Sequence, residues 1–330
     1  MNYNIQTLFD SKVPREVNDF LNYLGTIKGK SKNTIYNYKI ELSLFFKYLL
    51  LAKGKVDPKT EFDEIDISSI DDEFIRNISL SDLYRFIAFA ENFRNNSNYA
   101  RARKVATLKS FFKYLFTKAK IISYNPTLEL ESPKIHSRNP VYLTLSESKS
   151  LLNAVEGANK ERDYCILILF LNCGMRLSEL VGINLSKFRD DTLSIIGKGN
   201  KERTVYLNEI CIQAIKNYLP IRNSQLSKVK ASEDLDALFL SRHKKRIDKR
   251  TVEILVKKYI KKADLDSNKY TPHKLRHTAA TLMYKYGDVD IRSLQQILGH
   301  ENVSTTQIYT HVDDEKLRRA VKSNPLNDFE

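Results

Sequence analysis

Residues 271–287 read TPHKLRHTAATLMYKYG. A threonine followed by proline marks a helix start. The threonine suits the N-cap position, and Pro272 suits the first helical position, where a missing N–H costs nothing. His273, Arg276 and His277 then fall on the first turn or so, and His273 and Arg276, three residues apart, share a face. Three other segments carry similar chemistry. In GMRLSEL (174–180), Arg176 follows a glycine suited to stopping a helix. In GKGNK (197–201), Lys198 and Lys201 sit between two strand-like runs, 192–196 and 202–207, which read as a hairpin. In LGH (298–300), His300 precedes Tyr309 of TQIYT (306–310) by nine residues.

These segments supply two arginines, a lysine, two or three histidines and a tyrosine. That set suits a phosphodiester. Arginines offer forked donors to nonbridging oxygens, histidine and lysine move protons, and tyrosine can be a covalent nucleophile. Other nucleotide chemistries do not fit. The chain has no GxxxxGK[ST] loop, no HExxH and no run of paired carboxylates for two metal ions. Cys165, Cys173 and Cys211 are widely spaced within apolar patterns and read as buried thiols, not as a disulfide framework or zinc knuckle.

Composition agrees with a polyanionic partner. The 330 residues carry 54 Lys+Arg against 40 Asp+Glu, a net of +14. Residues 1–135 hold 21 basic and 16 acidic side chains, and residues 136–330 hold 33 and 24, so the excess lies in both halves. Nucleic acid is the simplest partner for such a charge. With 42% hydrophobic residues the chain can build real cores, and it has no apolar run long enough to span a membrane. The first ten residues lack a secretory pattern, so a cytoplasmic, reduced setting is expected.

The first half reads as four helices, over 14–27, 31–53, 79–93 and 97–119, with an acidic loop at 57–73. On the last helix Val105, Leu108, Phe112 and Leu115 form the apolar face, and Arg101, Arg103, Lys104, Lys109 and Lys113 the basic one. ESPKIHSRNP (131–140) has two prolines and no apolar period, and is expected to be a linker. The expected domains are 1–131, helical, and 141–330, with 132–140 between them. The second domain should open with a capping box, Thr144 to Glu147. It should be mostly helical, including 163–173 and 208–219. A small antiparallel sheet is expected from the two hairpin strands, with 237–240 as a possible third. The basic run 242–262 would ordinarily be a solvated helix face, and in a protein that grips DNA part of it is expected to contact phosphate. The tail 313–322 reads as a helix.

The chain resembles the tyrosine recombinase family, also called phage-integrase-type, and most closely its Xer-like branch. The matching stretches are GMRLSELVGI (174–183), IIGKGNKERTVYL (195–207), TPHKLRHTAATLMYKYG (271–287) and IRSLQQILGHENVSTTQIYTHV (291–312), in the family's order. The resemblance implies a DNA clamp, made of a four-helix core-binding domain and an α-rich catalytic domain. It implies that Arg176 and Arg276 bind the scissile phosphate and that His300 donates to it. Lys198 would protonate the leaving 5′ oxygen, with Lys201 as the alternative. His273 would be the general acid/base and Tyr309 the nucleophile. Glu179 would brace the first arginine, and His277 would support the helix cluster.

No cofactor and no metal is implied. The implied partners are double-stranded DNA with a specific core site, a homo- or hetero-tetramer of protomers passing through a Holliday junction, and an activating DNA translocase or accessory protein. The tail 313–322 would dock in a neighbouring protomer. Chromosome-dimer resolution, inversion and integration all use such a domain. A type IB topoisomerase would share the chemistry, and a DNA-binding factor without catalysis would share the charge. The two-domain size and Xer-like motifs count against the first, and the full reactive set against the second.

Overall fold

A computed structural model describes residues 10–135, 140–197, 202–226, 234–287, 289–299 and Thr306. The chain divides into two compact units, Met1–Ser137 and Arg138–Glu330. Among the described residues, no helix is long and apolar enough to cross a membrane.

The first unit is built on four long helices: α1 (Arg15–Thr26), α2 (Lys32–Ala52), α4 (Leu80–Asn92) and α5 (Asn98–Tyr114), with a short α3 (Asp72–Arg76). Their starts follow from hydroxyl and carboxyl caps. Ser31 accepts from the Thr34 N–H, Ser97 from that of Ala100, and Ser79 and Asp82 form a reciprocal box. The core is aromatic. Phe20, Phe45, Phe46, Phe86, Phe111 and Phe112 are all buried, with edge-on contacts such as Phe45 to Phe86 at 5.1 Å between centroids.

Two expectations change here. The acidic stretch 57–73 is not wholly loop. Phe62–Glu64 makes a 3-10 turn, and Asp71 caps α3, which buries Ile75. Lys104 also does not belong to an exposed basic face. It is buried and bonds Glu41 at 2.6 Å, so its charge is spent inside the unit.

The second unit is organised around α7 (Lys160–Cys173). Its residues from Cys165 to Phe170 are all almost fully buried, because after a charged first turn the helix is apolar all round. It packs against α9 (Glu209–Leu226) and α11 (Pro272–Tyr286). Around it stand α6 (Leu145–Asn153), α8 (Leu177–Val181), α10 (Lys249–Lys262) and α12 (Ile291–Leu298). Thr144 and Glu147 form the expected box at α6. Thr271 occupies the N-cap position of α11, but its side chain makes no capping bond. Helix α9 runs on past Leu219, through Pro220, to Leu226.

The sheet is antiparallel, in the order β1 (Phe188–Arg189), β2 (Thr192–Ile196), β3 (Glu202–Tyr206). The register pairs Leu193 with Val205 and Ile195 with Arg203. The third strand is thus 188–189 and not 237–240. Residues 237–240 are buried throughout and form only isolated bridges, from Asn184 to Ala237 and from Leu240 to Arg246. Their carbonyl and N–H groups are used elsewhere. Ala237 O accepts from Arg222 Nε at 2.9 Å, and the Leu238 N–H donates to Ile183 O at 3.0 Å. A short apolar run does not distinguish a strand from a buried loop.

The link from α7 to the candidate site is Gly174. It ends the helix at φ +57°, with its N–H bonded to Phe170 O. A Cβ there would lie 2.8 Å from Leu298 Cδ2 and 3.6 Å from Ala279 Cβ. Gly174→Ala should therefore lose at least about 2 kcal/mol, from left-handed strain and overpacking together. Denaturant unfolding of the second unit checks this, and an unchanged midpoint would contradict it.

Candidate functional site

Two short connections bring the site together. One is the turn from α7 into α8, which carries Arg176 and leads to Glu179 in the first turn of α8. The other is the end of α12, where Gly299 closes the helix in the left-handed conformation at φ +63°. The Glu179 side chain has no exposed surface. Its Oε1 accepts from Arg176 Nη1 at 2.7 Å, and its Oε2 from the Arg176 backbone N–H at 2.7 Å. Oε2 also accepts from Arg203 Nη2 at 2.9 Å and lies 3.8 Å from Arg276 Nη1. Burial alone would raise the Glu179 pKa. The hydrogen bond and charge of Arg203, followed by the donors of Arg176, reverse this and hold the carboxyl below its ordinary range.

The same three arginines grip the end of α12. Arg203 Nη1 donates to Ile297 O, Arg276 Nη2 to Leu298 O at 2.6 Å, and Arg176 Nη2 to Gly299 O at 2.9 Å. Arg276 Nη1 also donates to Gly174 O at 2.7 Å, at the end of α7. Carbonyls at a helix C-terminus are the negative end of its dipole, so cations belong there. A guanidinium carries more donors than these partners use.

His273 lies one turn before Arg276. A cavity of about 530 Å³ is lined by Arg176, Lys249, Glu253, His273 and Arg276 among others. The His273 ring meets that of His277 edge-on, with centroids 4.6 Å apart. Solvent reaches His273, yet the protein crowded around it disfavours the charged form. Arg276, Lys274 and Arg176 add to this, so its pKa falls below the ordinary histidine value. It is suited to accept a proton near neutral pH.

Of the residues singled out from sequence, Arg176, Glu179, His273, Arg276 and His277 are described, and the first four meet at this cavity or around its carboxylate. Lys198, Lys201, His300, Tyr309 and the tail 313–322 lie outside the described residues. Arg203 was missed. The signal for it was strand alternation: it stands two residues before buried Val205, hence on the inward face of β3. Lys249 had been visible only as part of the basic run 242–262.

Residues 141–316 match the model of the phage integrase family. The chain belongs to that family, the tyrosine-type site-specific DNA recombinases, and to its Xer-like branch. It is 58% identical to a tyrosine recombinase XerC of Caldanaerobacter subterraneus subsp. tengcongensis over 316 residues, 96% of this chain and 88% of the relative. It is 35% identical to a tyrosine recombinase XerC of Thermodesulfovibrio yellowstonii, over 94% of this chain and 96% of that one. A crystal structure of XerH site-specific recombinase bound to palindromic difH substrate has a TM-score of 0.68 at 22% identity. The match covers 96% of this chain and 98% of that chain, and it shows the shared fold.

Glu179→Gln would leave three guanidinia facing one another around a neutral amide. Breaking a buried pair in this way costs about 3 kcal/mol, the low end of the usual range because Arg176 remains 30% exposed. Equilibrium unfolding measures it, and a loss under about 0.5 kcal/mol would contradict the central place given to this carboxylate.

Proposed function

We propose that the chain cuts and rejoins duplex DNA at a specific core site by transesterification. The Tyr309 hydroxyl attacks the scissile phosphorus, giving a 3′-phosphotyrosyl bond and a free 5′-hydroxyl. Arg176, Arg276 and His300 meet the charge that gathers on the nonbridging oxygens. His273 takes the proton from the attacking tyrosine. Lys198 protonates the departing 5′ oxygen, with Lys201 as the alternative donor. Glu179 holds the arginines, and His277 supports His273. A 5′-hydroxyl from the partner duplex then attacks the phosphotyrosine and restores a phosphodiester. The covalent link conserves the bond energy, so no nucleotide hydrolysis enters.

The observation that carries this reading is the sharing of one buried carboxylate by Arg176 and Arg276 beside a cavity that His273 also lines. Losing one such preorganised donor costs on the order of 3 kcal/mol, or ~100-fold in rate.

The helical unit, up to about residue 131, serves as the core-DNA-binding domain, and residues 141–330 as the catalytic domain. With 132–140 as the joint, the two close on DNA as a clamp. Both halves are basic, which supports that division of labour. The working assembly is a homo- or hetero-tetramer on two duplexes, passing through a Holliday junction, with the segment 313–322 engaging a neighbouring protomer. An activating translocase or accessory protein is a further partner. The work is done on chromosomal or plasmid DNA in the cytoplasm, as resolution, inversion or integration.

The test is covalent trapping on a nicked duplex carrying the cleavage site, recovered by sequencing DNA attached to the wild-type protein in cells. The wild type should accumulate an adduct. Tyr309→Phe should accumulate none, while its DNA affinity stays within about threefold, because only the nucleophilic hydroxyl is removed. Adducts in the purified Tyr309→Phe protein would overturn the nucleophile. Relaxation of supercoils without joining of two duplexes would favour the topoisomerase reading.

A further inference from the structure

We infer that Arg203 is a positioning residue for strand cleavage, acting through Glu179 on the two phosphate-binding arginines. The inference rests on the recombinase reading of the site and adds a role to it. Arg203 stands on β3, and its side chain is 14% exposed. One terminal nitrogen bonds Glu179 Oε2 at 2.9 Å, and the other bonds Ile297 O at the end of α12. Arg203 thus spans the carboxylate that orients Arg176 and the helix end whose next two carbonyls hold Arg276 and Arg176.

The close approach is built in. A Cβ on Gly299 would come within 2.8 Å of Arg203 Cδ and 3.1 Å of its Nε, so the helix must end in glycine for this arginine to pass. Without Arg203, Glu179 would keep two arginine partners instead of three. Arg176 and Arg276 would be drawn closer to their shared carboxylate and away from a phosphate. A lysine cannot replace it, since one ammonium does not span both acceptors as a planar fork does.

Arg203→Ala should slow adduct formation on the nicked duplex about 30- to 100-fold, the usual result of misplacing reacting groups by an ångström. DNA affinity should change less than about threefold, because the exposed cations are untouched. Arg203→Lys should lie between, and it carries the test if the alanine variant does not fold.

Two altered substrates then separate positioning from mere structural damage. A methylphosphonate at the scissile position removes the negative charge that Arg176 and Arg276 answer. It should shrink the variant's deficit relative to wild type to within about fivefold. A bridging 5′-phosphorothiolate, whose sulfur leaves without protonation, should not shrink it. Equal deficits on phosphate and methylphosphonate, or rescue by the phosphorothiolate, would overturn the inference; the latter would assign Arg203 to the hairpin lysine instead. A wild-type protein that forms no adduct would overturn the recombinase reading itself, and this inference with it.

Discussion

One buried carboxylate carries the second half of the molecule. Glu179 has no solvent to stabilise its charge and three guanidinia that do. Those guanidinia would repel one another without it, and each also binds one of three consecutive carbonyls, at Ile297, Leu298 and Gly299. The result is a closed electrostatic knot. Its acidic centre comes from α8, its cations from the α7–α8 turn, β3 and α11, and its outer acceptors from the end of α12. Four parts of the chain, far apart in sequence, are held in one geometry. Pairing a buried charge so fully is expensive in desolvation and contributes little net stability, but it fixes where each group points.

The surrounding fold can be read as support for that knot. From Cys165 to Leu171 helix α7 is buried on all sides, so its end is held firmly where Gly174 turns the chain toward Arg176. The glycine also lets Leu298 approach, which seats α12 against the same turn. The β2–β3 register is equally restrictive. Ile195 faces Arg203, and Leu193 faces Val205. A slip by one residue would turn Arg203 outward and leave Glu179 one partner short. The hairpin, the helix end and the turn therefore answer to one another through side chains, not through backbone pairing.

Much of this was legible in the sequence. The caps at Ser31, Ser79, Ser97 and Thr144 stand where local hydrogen bonding demands them, so helix starts could be read closely. Arg176, His273 and Arg276 were visible through their settings: a glycine stop, a Thr-Pro helix start and helical spacing. Glu179 was marked only by the family resemblance. What was not legible depended on distant partners. Lys104 looked like one more cation on a basic face until Glu41 met it from α2. Residues 237–240 have strand-like composition, but Arg222 and Ile183 claim their backbone groups. Arg203 was missed because its partners, Glu179 and Ile297, come from other parts of the chain.

The central claim is that Glu179 is held ionised by its three arginines despite full burial. Carbon-13 NMR of carboxyl-labelled glutamate, with the Glu179 signal assigned by its loss in the glutamine variant, measures this directly. A depressed pKa means that the stabilisation is complete above the ordinary value of 4.5 and is lost as pH falls through the lower folded value. The account predicts a Glu179 midpoint below 4.5, or no titration while the protein stays folded. A midpoint above 4.5 would mean that burial outweighs the arginines, and the account would fail at its centre.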